Sequence, residues 1–235
     1  MISWGRRILS AEVAVTVPDR MLRLHRQLDL LPIDTLDAPI TVIGAGAVGS
    51  FTTLTLAKMG CTNLTVFDDD VIDAHNLPNQ FYRLDDLGRP KVEALAELVH
   101  ASEGVELRAV PRRFEGARLS GIVVGAVDSM ASRRLIWDAV YFNPDVRLLV
   151  DARMGGLVSI VRPVHPLRPS EARAYERTLH SDDDAMPEPC SARAILFTVL
   201  AIASTVARLV RMELVGKELP REITQDHELG LLITS

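Results

Sequence analysis

Three glycines set the chemistry this chain can hold: Gly44-Ala45-Gly46-Ala47-Val48-Gly49 fits the G-x-G-x-x-G turn that leads from a strand into a helix. Gly44 and Gly46 permit the tight bend and a close approach of backbone to ligand. Gly49 permits close packing of helix on strand, and the N–H groups of the first helical turn face an anion. The implied chemistry is a phosphate seat. Residues 63–67 read as a second strand that delivers Asp68, about twenty residues past the turn, where a carboxylate can accept hydrogen bonds from a ribose. The glycine pattern alone also suits an ordinary tight turn; strand, helix, second strand and acid in series favour a nucleotide. NAD, FAD, S-adenosylmethionine and ATP all stay open at this point.

Three further residues carry reactive or charged groups at telling places. Cys190 stands at the start of an apolar helix with Arg193 beside it, a setting that favours thiolate; the alternative is a buried small hydrophobe. Lys91 follows Pro90 at a helix start, where a cation opposes the helix dipole and needs another reason to be there. Asp128 ends the strand expected over residues 121–127 and either serves chemistry or caps the helix that begins near Ala131. Cys61, between Gly60 and an apolar strand, reads as packing.

The elements that must position these groups alternate. Residues 40–43 read as a buried strand, residues 91–101 as a helix, 105–110 and 121–127 as strands, 131–142 as a helix and 147–151 as a strand. Such alternation predicts an α/β fold, a doubly wound, Rossmann-like and mostly parallel sheet. Gly155-Gly156 between two strand-like runs adds antiparallel strands in the C-terminal half, with a last edge strand near residues 229–233. Residues 163–189 read as a long crossing loop with little core, and residues 192–215 as a helix buried on all sides. Residues 19–31 read as a helix capped by Asp19. The organisation expected is one domain over residues 1–235: an arm and helix to 35, a nucleotide-binding half from 36 to 151, and an antiparallel half from 152 to 235.

Composition narrows the class. A chain of 235 residues with 48% hydrophobic content can bury one substantial core. A net charge of −5 argues against nucleic acid or anionic membrane as partners. Two cysteines make no disulfide framework and no four-cysteine zinc site. The most apolar run, residues 194–207, is fenced by Arg193 and Arg208 and falls short of the ~20 residues that span a bilayer. The expected location is cytoplasmic.

With the order of these motifs on the page, the chain resembles the ubiquitin-activating-like adenylating enzymes of the ThiF, MoeB and HesA group. The likeness runs from Arg23-Leu24-His25-Arg26-Gln27 through the glycine turn and residues 68–80. It continues in Gly88-Arg89-Pro90-Lys91-Val92-Glu93, in Asp128 followed by Arg133, and in Cys190. The resemblance implies attack of a partner protein's C-terminal glycine carboxylate on the α-phosphate of magnesium-bound ATP. It implies that Asp68 holds the ribose with Asp70 near it, that Asn76 contacts the phosphates, that Lys91 meets them as a point charge and that Asp128 binds Mg2+. Ala47, Asn79, Gln80 and Ser129 fall in the same motifs and complete the nucleotide contacts. Arg26 matches an arginine that reaches the partner subunit's site, which implies a homodimer, and Cys190 matches the cysteine that takes the activated carboxyl. The partner implied is a ubiquitin-like or sulfur-carrier protein ending in Gly-Gly, with a conjugating enzyme as a further one.

One departure stands out. The group usually reads Asn-Leu-x-Arg-Gln where this chain has Asn76-Leu77-Pro78-Asn79-Gln80, and an arginine poised on transferring phosphate is worth roughly 10³–10⁵ in rate. Arg83, four residues on, is a candidate substitute. The group's zinc-binding Cys-x-x-Cys pairs are absent too. Two other readings stay open: an NAD(P)-dependent oxidoreductase, for which His75, His100, His165 and His180 form no recognisable hydride-transfer pair, and a non-catalytic scaffold that binds a ubiquitin-like partner, motivated by Asn79.

Overall fold

The computed structural model describes residues 20–180 and 195–235. The N-terminal arm, the Asp19 cap and Cys190 with Arg193 lie outside the described residues. The described chain enters with α1 (Arg20–Leu24), then forms β1 (Ile40–Ile43), all four residues buried. The alternation follows as expected: α2 (Ala47–Lys58), β2 (Leu64–Phe67), α3 (Lys91–Glu103), β3 (Arg108–Val110), β4 (Gly121–Gly125), α4 (Met130–Val140) and β5 (Val146–Gly155). β6 (Val158–Val164), α5 (Pro169–Glu176), α6 (Leu196–Leu214), β7 (Ile223–Asp226) and β8 (Leu231–Thr234) complete it.

One sheet of eight strands results, in the order β3-β2-β1-β4-β5-β6-β7-β8. The first five pair in parallel and the last three antiparallel. The order reverses between β1 and β4, so the crevice beyond their C-terminal ends is the place where open α/β sheets take ligands. Both faces are covered. Leu56 of α2, Leu95 of α3 and Ile202 and Leu209 of α6 pack on one face; Ile136 and Trp137 of α4 and Tyr175 of α5 pack on the other.

The structure corrects the sequence reading in three places. The stretch read as a crossing loop with little core contains α5, and Ala172, Tyr175 and Leu179 bury their side chains in the second core. Pro169 there opens a helix, since its missing N–H is one that no helix start uses. Helix α6 is buried on one side only: Leu196, Phe197 and Leu200 are exposed, because a helix lying on a sheet face turns its other side outward. The helix expected over residues 19–31 ends at Leu24 and continues as turns, where Gln27 Nε2 donates to Met59 O at 2.6 Å and ties this segment to the end of α2. Among the described residues no helix is long and apolar enough to cross a membrane.

His165 joins α5 to the end of α6. Its Nδ1 lies 3.0 Å from Glu171 Oε2 and its Nε2 3.2 Å from Glu213 Oε2. The bond to Glu213 holds the imidazolium and raises the His165 pKa above 6.5. The same bond lowers that of Glu213 below 4.5. The histidine's contribution is complete below its unfolded pKa and fades as pH rises through the raised value, whereas Glu213's is present above its unfolded pKa and fades as pH falls through the lowered one. Wild-type protein is therefore expected to lose chemical-denaturation stability as pH rises from 6.5 through the raised His165 pKa, and His165→Gln to remove that slope. An unchanged slope in the variant would show that the histidine pair contributes nothing.

Candidate active site

The glycine turn is locked by its own geometry before any ligand arrives. Gly44 has φ +98°, and a Cβ there would stand 2.4 Å from Ala126 O at the exit of β4. A Cβ on Gly49 would stand 1.8 Å from Gly44 O. Gly46 meets nothing within 4 Å on the side a Cβ would occupy, so the backbone is open there to a close approach. Gly44 N donates to Phe67 O at 2.8 Å and Ala126 N to Ile43 O at 2.8 Å, fastening the turn to β2 and to the β4 exit.

Side chains then clamp the peptide groups around Ala45. Ala45 N donates to Asp68 Oδ2 at 2.6 Å, and Tyr82 Oη donates to Ala45 O at 2.6 Å. Asp68 Oδ1 also accepts from Asp70 N at 2.8 Å. Burial raises the Asp68 pKa, and these backbone donors with the nearby Lys91 oppose that rise. Burial also lifts the Tyr82 phenol far above its usual range, so it remains a donor. α2 starts at Gly46 with no side-chain cap, which leaves first-turn N–H groups for an anion.

Other expected residues gather near this turn with their side chains already engaged. Lys91 Nζ pairs with Asp70 Oδ2 at 2.6 Å, and the lysine side chain is only 6% exposed. Asn76 Oδ1 accepts from Asp73 N at 3.2 Å inside a short 3-10 helix, Ala74–Asn79. Asn79 ends that helix. Gln80 Oε1 is buried with no hydrogen-bond partner, an acceptor left for a ligand or water. Arg83 is committed elsewhere: its Nε reaches Asp86 Oδ2 at 3.2 Å, and Arg89 Nη1 reaches Asp86 Oδ1 at 2.9 Å, so two cations neutralise one buried acid.

Asp128 lies past β4, two residues beyond the Ala126 carbonyl that Gly44 abuts, and is exposed. The cap of α4 is Ser129, whose Oγ accepts from Ser132 N at 3.1 Å, so Asp128 is not the cap and makes no hydrogen bond or ion pair among the described residues. The loop is held from behind by Arg133. Its Nη2 donates to Val127 O at 2.6 Å and to Ala152 O at 3.2 Å, and its Nε to Asp151 Oδ1 at 3.1 Å. Arg153 Nε binds the other oxygen of Asp151 at 2.7 Å. Tyr82, Asp151 and Arg153 were not legible as site residues; the only hints were a tyrosine in the polar stretch after β2 and an acid flanked by arginine at a strand end.

Arg26 is placed apart from the glycine turn. Its neighbours hold the far end of α2, with Arg20 Nη2 donating to Gly60 O at 2.8 Å, and the 12 residues of α2 separate that end from the turn by about 18 Å. Arg26 is exposed and makes no hydrogen bond or ion pair among the described residues.

This fold and crevice define a Rossmann-like nucleotide-binding protein with an antiparallel extension. The chain belongs to the ThiF family, whose model matches residues 32–228. It is 27% identical over 215 residues to the sulfur carrier protein ThiS adenylyltransferase of Escherichia coli, covering 85% of this chain and 83% of that one. It is 33% identical over 116 residues to the SAMP-activating enzyme E1 of Haloferax volcanii, covering 46% of this chain and 43% of that enzyme. The solved structure of Escherichia coli MccB with ATP superposes with a TM-score of 0.70 at 16% identity, over 91% of this chain and 70% of that one, a likeness of fold. By its curated relatives the chain is of the ThiF/MoeB adenylyltransferase type.

The two glycines separate by their surroundings. Gly49→Ala forces the turn apart and is expected to cost at least the top of the about 1–3 kcal/mol range of overpacking, with loss of nucleotide binding. Gly46→Ala is expected to keep the denaturation midpoint near wild type. Equal midpoints for the two variants would refute the packing described.

Proposed function

We propose that the crevice between β1 and β4 binds ATP and activates the C-terminal carboxylate of a sulfur-carrier or ubiquitin-like protein as an acyl-adenylate. The observation that carries the reading is the uncapped start of α2 packed on the β4 exit, two residues before Asp128, which is exposed and without a hydrogen bond or ion pair among the described residues. The relatives' names support it, one being an adenylyltransferase of a sulfur carrier.

In this reading the first-turn N–H groups of α2 seat phosphate oxygens, and Asp68, already fixed by two backbone donors, accepts from the ribose. Lys91 exchanges Asp70 for phosphate. Asp128, exposed and not spent on a cap, suits Mg2+, which when bound would supply positive charge to the triphosphate. Arg133 positions that loop through the Val127 carbonyl. An oxygen of the incoming carboxylate forms a bond to the α-phosphorus as the bond to pyrophosphate breaks, so the products are acyl-adenylate and pyrophosphate. Passage of the acyl group to Cys190, releasing AMP, is a further step in the same reading. Arg26 lies too far from its own turn to act there, which supports a homodimer in which it serves the partner's crevice.

The test is pyrophosphate–ATP exchange with a small protein ending in Gly-Gly. Asp128→Ala is expected to abolish exchange while ATP binding weakens less; partner binding without exchange in wild type, at any magnesium concentration, would select a scaffold. Tight NADH binding with no ATP binding would select an oxidoreductase. Arg26→Ala and Asp128→Ala, each inactive alone, are expected on mixing to recover about a quarter of wild-type exchange, because half the dimers are mixed and each holds one complete site. No recovery from subunits shown to exchange would show that Arg26 does not serve the partner's crevice.

A further inference from the structure

A second cavity of about 450 Å³ opens between β6, α5 and the segment leading into β7. It is separate from the nucleotide crevice. β6 runs antiparallel to β5, pairing Arg162 with Asp151 and Val164 with Leu149, so Arg162 stands level with the β1 end but three strands across the sheet from it, and residues 163–165 run back from there. Its size falls in the range of small-molecule sites, roughly 300–1,000 Å³.

Three guanidinium groups line it. Arg162 Nη2 pairs with Glu222 at 2.5 Å, but its Nη1 is buried with no hydrogen-bond partner, and the side chain is 15% exposed. Arg177 and Arg221 also line the cavity and form no ion pair among the described residues. The acids present are already engaged: Glu222 with Arg162, and Glu171 with His165 and Arg168. Three guanidinium groups thus line a cavity whose two glutamates are already paired, and a fixed donor is left unsatisfied. A buried donor without a partner costs about 1–3 kcal/mol, which a ligand acceptor recovers. Guanidinium forks match planar carboxylates and phosphates.

We propose that this cavity is a binding site for a small molecule bearing a carboxylate or phosphate group, with Arg162, Arg177 and Arg221 as its anion contacts. The floor of the site touches the catalytic half. Tyr175 and Thr178 line the cavity; Arg153 stacks 5.8 Å from the Tyr175 ring and donates to Thr178 Oγ1 at 2.9 Å and to Thr178 O at 3.0 Å, and it also donates to the Asp151 that holds Arg133.

Isothermal titration of the full chain with sodium phosphate and, separately, sodium succinate, against sodium chloride at matched ionic strength, tests this. Saturable binding of either anion is expected, and the tighter one names the group recognised. The exposed pair Arg177→Glu with Arg221→Glu, and separately Arg162→Gln, should each weaken it at least about tenfold. Gly46→Asp, which sets a negative charge on the phosphate seat, should leave it unchanged. Absence of saturable binding of both anions overturns the proposal, as does binding that survives the double reversal and vanishes in Gly46→Asp.

Discussion

The fold turns on the two peptide groups that flank Ala45. The N–H of Ala45 is held by Asp68 from the end of β2, and its carbonyl by Tyr82 from the loop beyond. Gly44 against the β4 exit and Gly49 against Gly44 leave no room for a Cβ at either position, so the turn packs backbone on backbone around these hydrogen bonds. Orientation fixed in advance is what makes backbone donors effective on phosphate, because no reorganisation is needed when the charge arrives. The arrangement buries a carboxylate, and burial raises its pKa. Two backbone donors on Asp68 offset that cost, so the same hydrogen bonds that hold the acid also aim the turn.

Much of this was legible because its causes are local. Residues 40–43 are β-branched without interruption, the glycines recur at a fixed spacing and an acid follows the next strand; each signal fits within a few residues, and the structure returns all three where expected. Tyr82 was not legible, since its partner lies 37 residues away and nothing near it in sequence marks the contact. Asp128 and Ser129 are both good cap residues side by side, and only the φ/ψ of the entering chain decides that the serine caps. Helix α5 was hidden by Pro169 and its charges, although Ala172, Tyr175 and Leu179 keep a three- and four-residue rhythm. The N-terminal arm and Cys190 fall outside the described residues, so the readings placed on them stand as proposals.

The distribution of positive charge explains why this site differs from the pattern its sequence resembles. Arg83, the arginine nearest in sequence to the missing one, is spent with Arg89 on Asp86, an acid with no solvent exposure. Freeing it would leave that buried carboxylate with Arg89 as its one cationic partner among the described residues. Arg133 and Arg153 are likewise spent on Asp151, 1% exposed. Sequence proximity is therefore a poor guide to which cation is available.

Lys91 is the exception, because its partner is not buried. Asp70 is 66% exposed while the lysine side chain is 6% exposed, so losing Lys91 returns Asp70 to water at little cost. In the proposed reading a triphosphate, which carries more charge than one carboxylate, outcompetes it for the ammonium. The lysine's desolvation is already met in the ligand-free state, so transfer from Asp70 to phosphate gains attraction without a new burial penalty. That asymmetry, a buried cation on an exposed acid, marks Lys91 as the charge this crevice can redirect.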